Sequence, residues 1–208
     1  MTKKGAPSSQ IIDQMFLHRI VVLYGGLTKE LVENVSKQII NLQIKSSEPI
    51  RLIIDSHGGA LEPTLQLCDL ITHFIEAPVT GIVYGTCRSA ATFILLSCTE
   101  RLSTPNSKFL IHSGTRHDIS IKMDGSLSTD IRNLQKDIKK TENRLVDIYV
   151  KQLTPKAWNP KIKQPEREKF VRKLMKKGDQ NFDCLLSAEE ALEVGLISKI
   201  VDGKLKIF

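Results

Sequence analysis

VTGIVYGTCRSAATFILLS, residues 79 to 97, is the stretch around which the chain is organised. A β-branched and aromatic run, Val79 to Tyr84, predicts a buried strand that stops at Gly85; Ser89 and a small apolar run then predict a helix with a serine in its first turn. A hydroxyl there sits beside unpaired backbone N–H groups and the positive end of the helix dipole. Those groups stabilise the oxyanion formed when a serine attacks a carbonyl. Taken alone, such a serine is most often an N-cap. A base and an orienting acid must come from elsewhere in the chain.

Working outward, Arg19 to Tyr24 predicts a strand closed by Gly25-Gly26, after a short helix within Ile11 to Leu17. Thr28 caps a helix whose Leu31, Val35, Ile39 and Leu42 form one core-facing stripe, and Ser46, Ser47 and Pro49 end it. Ile50 to Ile54 is the next strand. Asp55-Ser56-His57-Gly58-Gly59 follows it and opens a helix near Glu62-Pro63, striped at Leu65, Leu67, Cys68, Ile71 and Ile75. A tight βα turn is the simplest reading of that glycine pair, and it is no G-x-G-x-x-G fingerprint. Alternating strands and helices imply parallel strands joined by right-handed crossovers, an α/β fold of repeated βαβ units.

Beyond residue 97, Arg101 to Thr104 and Lys108 to His112 predict two strands about a Pro105-Asn106 turn. A histidine ending such a strand lies at the carboxyl edge of the sheet, where open α/β folds place ligands, although a lone histidine is more often structural. Ile119 to Met123 and Leu127 flank Asp124-Gly125, a hairpin signal, and Thr129 or Asp130 then caps a long helix to about Gln152. Its narrow stripe of Ile131, Leu134, Ile138, Leu145, Ile148 and Tyr149 predicts a helix that projects and packs on a neighbouring subunit. Residues 154 to 164 read as a loop. A basic helix begins at Pro165, with Phe170, Val171, Leu174 and Met175 on one face and Gly178 as its stop. Ser187-Ala188-Glu189-Glu190 is a capping box, Gly195 ends that helix, and Leu196 to Phe208 reads as a hairpin turning at Asp202-Gly203.

The 208 residues suit one domain, 41% hydrophobic and 25% charged, with no apolar run near the ~18 residues of a membrane span. The polar start, Met1 to Gln10, has no secretory h-region, so a cytoplasmic protein is expected. Cys68, Cys87, Cys98 and Cys184 lack C-x-x-C spacing and read as reduced, buried thiols. Neither a metal nor a cofactor is expected. The net charge of +7 gathers in Lys161 to Lys177 without stacking aromatics, which favours a solvated helix face over nucleic-acid binding.

Four features then fall at loop or element ends of one α/β unit: Gly58-Gly59, Ser89, His112 and Asp179. Their order and spacing, over Arg19 to Val201, resemble the proteolytic subunit of the Clp protease, a serine peptidase on the ClpP/crotonase fold. That family's strand-then-Ser-Pro-Gly-Gly loop appears as Asp55 to Gly59. Its Gly-x-Ala-Ala-Ser-Met-Gly-Ala block appears as Gly85 to Thr92. Its Pro-Asn-Ser…Met-Ile-His segment appears as Pro105 to His112, and its Asp ahead of Ser-Ala-Glu-Glu-Ala as Asp179 ahead of Ser187 to Ala191. The resemblance implies that Ser89 attacks the scissile carbonyl, His112 carries the proton, and Asp179, rather than Asp183, orients the imidazole. Gly59 and Ala90 would supply the oxyanion hole.

It also implies a handle (hairpin and helix, about residues 115–153) that interlocks two heptameric rings of identical subunits, peptide and unfolded-protein substrates, and an AAA+ unfoldase as partner. A plastid-encoded or other organellar stromal location is left open. Arg88 stands where the family has a small residue, Ala90 and Ala91 replace Met-Gly, His57 replaces the Pro, and the hairpin and the 154–164 loop are longer. A catalytically silent ring subunit and a crotonase-type acyl-CoA enzyme are the competing readings. The first usually lacks a triad member; the second needs two backbone donors but no Ser-His-Asp set.

Overall fold

The computed structural model of the protein describes residues 14–113, 127–155, 162–180 and 185–205. A helical turn, α1 (residues 14–17), leads into β1 (Ile20–Leu27), α2 (Lys29–Lys45), β2 (Ile50–Gly59), α3 (Leu61–His73), β3 (Val79–Arg88), α4 (Ala91–Leu96), β4 (Glu100–Ser103) and β5 (Lys108–Leu110). Then come α5 (Leu127–Gln152), α6 (Gln164–Gln180), α7 (Ala188–Glu193) and β6 (Lys199–Ile200).

One six-stranded sheet runs β1-β2-β3-β4-β6, with β5 also pairing β3. Every ladder between named strands is parallel, as the alternation of elements requires. Its strands are apolar because helices cover them, and Leu23, Leu52, Ile54 and Val83 are fully buried. Thr28 caps α2 by accepting from the Leu31 N–H, and Val32, Val35, Ile39 and Leu42 make its buried face. The capping box at Ser187 and Glu190 is formed in both directions.

Several boundaries depart from the sequence reading. β1, β2 and β3 do not stop at Tyr24, Ile54 and Tyr84: they shift register between Tyr24 and Gly26 and between Ile54 and Ser56, then continue to Leu27, Gly59 and Arg88. The glycines mark bulges inside strands rather than turns after them. Ser89 lies in a turn ahead of α4 rather than in the helix. β5 ends at Leu110, two residues before His112, and β4 begins at Glu100. Helix α5 starts at Leu127, and α6 passes Gly178 to end at Gln180. The expected C-terminal hairpin is absent among the described residues, since β6 joins the sheet parallel to β4 and 201–205 form no strand. The Asp124-Gly125 hairpin lies outside the described residues, as does most of the 154–164 loop.

Helix α5 divides along its length. Leu145, Val146, Tyr149 and Val150 are buried in the core, whereas residues 135–140 are exposed, Ile138 included. Val171 and Met175 of α6 are buried with the same core.

Candidate active site

The carboxyl ends of β2, β3 and β5 converge where Gly58, Ser89 and His112 lie. Beyond the register shift, Ser56 of β2 pairs with Cys87 of β3, and on the other side of β3 Arg88 pairs with Leu110 of β5. The Asp55 carboxylate anchors this end of the sheet by accepting from the Thr86 N–H (2.8 Å) and hydroxyl (3.1 Å). Sequence reasoning missed this clamp; a carboxylate followed by glycines across from Gly85-Thr86 was its only signal.

Ser89 has φ +53, in the left-handed region that a serine enters only at a cost of about 1–2 kcal/mol. Two sets of bonds hold it there. Its N–H donates to Leu110 O (2.9 Å), fastening the turn to the end of β5. Its carbonyl accepts from the Thr92 N–H (3.0 Å) and the Thr92 hydroxyl (2.6 Å). The Thr92 oxygen lies 2.7 Å from the Tyr149 hydroxyl of α5. Because Thr92 gives its proton to Ser89 O, Tyr149 is the donor to Thr92. Burial pushes the Tyr149 phenol well above its usual range, so it keeps that proton.

This turn aims the Ser89 side chain at His112. The separation of Ser89 Oγ and His112 Nε2 is 2.7 Å, and His112 is 6% exposed. With its proton on Nδ1, the imidazole accepts the hydroxyl hydrogen at Nε2, the arrangement that makes a serine nucleophilic. Cys87, two residues earlier, is poorly placed to act as a nucleophile. It is fully buried, and burial drives its thiol far above the range in which a thiolate forms.

Gly58 faces the same turn at φ +90. A Cβ there would stand 2.7 Å from Arg88 O and 2.8 Å from Ser89 Cβ, so only glycine lets the two segments approach. The Gly58 N–H donates to Ser56 Oγ (3.1 Å), and Ser56 donates to Gly25 O (2.6 Å). That leaves Gly59, rather than Gly58, as the glycine whose N–H is not taken up by Ser56. The N–H of Ala90 belongs to the unsatisfied first turn of α4. Asp179 falls in the last turn of α6, but its side chain lies outside what is described, as does Asp183. Among the described residues no group of three or more His, Cys, Asp or Glu is placed to hold a metal ion. No helix among them is long and apolar enough to cross a membrane.

The model of the Clp protease family matches residues 3–204. The chain belongs to the Clp protease family. A Clp relative, the ATP-dependent Clp protease proteolytic subunit 2 of Treponema denticola, is 32% identical over 195 residues, covering 92% of this chain and 86% of that protein. The proteolytic subunit 3 of Rhizobium meliloti is also 32% identical, over 192 residues, covering 90% of this chain and 85% of its own. Among solved structures, a variant of ClpP1 from Listeria monocytogenes superposes with a TM-score of 0.70 at 24% identity, covering 93% of this chain and 97% of that one. The parallel sheet with its crossover helices is thus the ClpP/crotonase fold, and the chain is a divergent member of a family of hydrolases.

Proposed function

We propose that this protein is a serine endopeptidase, the proteolytic subunit of an ATP-dependent Clp-type protease, in which Ser89, His112 and Asp179 form the triad. The observation that carries the reading is the 2.7 Å contact between Ser89 Oγ and His112 Nε2 at the carboxyl edge of the sheet, on a serine held in a strained turn. Ser89 attacks the scissile carbonyl as its proton passes to Nε2, and the imidazolium then returns that proton to the leaving amine. The N–H groups of Gly59 and Ala90 take the oxyanion, and Asp179 holds the imidazole in the Nδ1–H tautomer.

Identical subunits assemble as two stacked heptameric rings, with the exposed half of α5 as part of the handle. Peptides enter the chamber unaided; folded proteins need an AAA+ unfoldase of the Clp type. A cytoplasmic location, a single domain of residues 1–208 and no cofactor belong to the same reading. An uncharged fluorophosphonate labels Ser89 in assembled protein, and Ser89→Ala or His112→Ala abolishes labelling and peptide cleavage. Light scattering gives a mass near fourteen subunits. Assembled rings that neither react with the probe nor cleave any peptide of a broad library return the chain to the silent-subunit reading.

A further inference from the structure

Arg88 immediately precedes Ser89 and is half-buried. Its Nε is buried with no hydrogen-bond partner, and the guanidinium makes no ion pair among the described residues. The nearest acid along β2, Asp55, is committed to Thr86. The register Ser56 to Cys87 sets the exposed His57 beside Arg88 on the next strand, with its imidazole against Gly26 of β1. Strand alternation sends Arg88 to the face opposite the fully buried Cys87, beside its buried cross-strand partner Leu110. An unsatisfied buried donor on a guanidinium is costly. Such a group is offset by an anion that arrives with a ligand, and its planar fork matches a carboxylate.

We propose that Arg88 makes the site selective for substrates carrying a carboxylate within one or two residues of the bond that Ser89 cleaves. This rests on the peptidase reading above. Neighbouring Cα atoms are about 3.8 Å apart and an extended substrate advances about 3.3 Å per residue. A guanidinium on the residue beside the nucleophile is thus within reach of the first one or two substrate residues on either side of the scissile bond. The carboxylate is supplied by an Asp or Glu side chain or by a free C-terminus close to that bond.

The test uses assembled protein and quenched peptides in matched pairs, Glu against Gln at one position on either side of a common cleavable bond. A further pair carries a C-terminal acid or amide two residues beyond it. The wild type favours the charged member by on the order of tenfold in kcat/KM, in keeping with a charge-assisted hydrogen bond. The pair that shows the preference tells side chain from terminus. Arg88→Gln brings the ratio near one, Arg88→Lys keeps part of it, and Arg88→Glu turns it toward the uncharged members. Each ratio is internal to one variant, so a partly unfolded preparation does not distort it.

The same pairs are titrated by fluorescence anisotropy onto Ser89→Ala and onto Ser89→Ala with Arg88→Gln. Ratios near one in the wild type and in Ser89→Ala, or a preference that survives Arg88→Gln, overturn the assignment while cleavage itself leaves the peptidase standing. Should the wild type cleave nothing, yet Ser89→Ala bind charged members tighter through Arg88, the peptidase reading falls and the carboxylate site remains.

Discussion

Ser89 pays for its geometry with backbone strain at φ +53. The cost belongs to any residue with a Cβ at that position, so Ser89→Ala keeps it and Ser89→Gly relieves it. Ser89→Gly should then be more stable than Ser89→Ala by about 1 kcal/mol in urea unfolding, although glycine ordinarily destabilises through the unfolded chain. A glycine variant less stable than Ser89→Ala by the full ~0.5–1 kcal/mol that glycine ordinarily costs would mean that the turn is unstrained. The acid is a second residue-scale question. Asp179→Asn should lower kcat roughly 10³- to 10⁴-fold by favouring the wrong tautomer, whereas Asp183→Asn leaves it within a few-fold. The reverse ranking would reassign the role. That Ser89 and His112 would come together was legible in the sequence because Ser89 follows the β3 run and His112 ends the apolar run of β5, and such ends gather at the carboxyl edge of a parallel sheet. The Asp55 clamp and the Thr92 link were not, because both join residues far apart in sequence through hydrogen bonds that no periodicity records.

At the scale of elements, α5 reaches the Ser89 turn through Tyr149, Thr92 and Ser89 O. The Tyr149 ring also packs on Phe93 of α4, with centroids 4.8 Å apart. Tyr149→Phe keeps that packing and removes one donor to a buried hydroxyl, an expected loss of about 1 kcal/mol. Thr92→Val removes the side-chain bond to Ser89 O as well and costs about 1–3 kcal/mol. If the link positions Ser89, both variants slow fluorophosphonate labelling with Thr92→Val the slower; labelling at the wild-type rate would make the link structural only. Helices were easier to read than strand ends. The stripe and cap of α2 come from local spacing, while the continuation of β2 through Gly58 and Gly59 depends on pairing with Gly26 and Leu27 of β1. Tertiary pairing likewise decides the C-terminus, where β6 joins β4 rather than folding back on itself.

For the molecule as a whole, the buried thiols make alkaline pH the vulnerable side. Burial raises Cys98 and the half-buried Cys68 from 9.0 to about 12, and Cys87 further. Their protonated forms contribute stability in full below pH 9, where the unfolded chain also keeps those protons. That contribution is lost as pH climbs from about 9 toward 12, because the unfolded chain alone releases them. Urea midpoints should fall steadily above pH 9, with a slope of about 1.4 kcal/mol per pH unit for each thiol, and Cys98→Ala should flatten the slope by one thiol's share. A flat profile to pH 10.5 would contradict the burial of these groups.

One further consequence follows from the antiparallel bridge in which Phe109 and Leu186 exchange both backbone hydrogen bonds, at 3.0 and 2.8 Å. Phe109 leads into the segment that carries His112, so its outer edge is completed by a residue from near the end of the chain. On a ribosome, Ser89 and His112 emerge long before Leu186 does. Until then β5 is braced on one side only, by β3. Translation order thus leaves this edge of β5 open until the segment around Leu186 has been made.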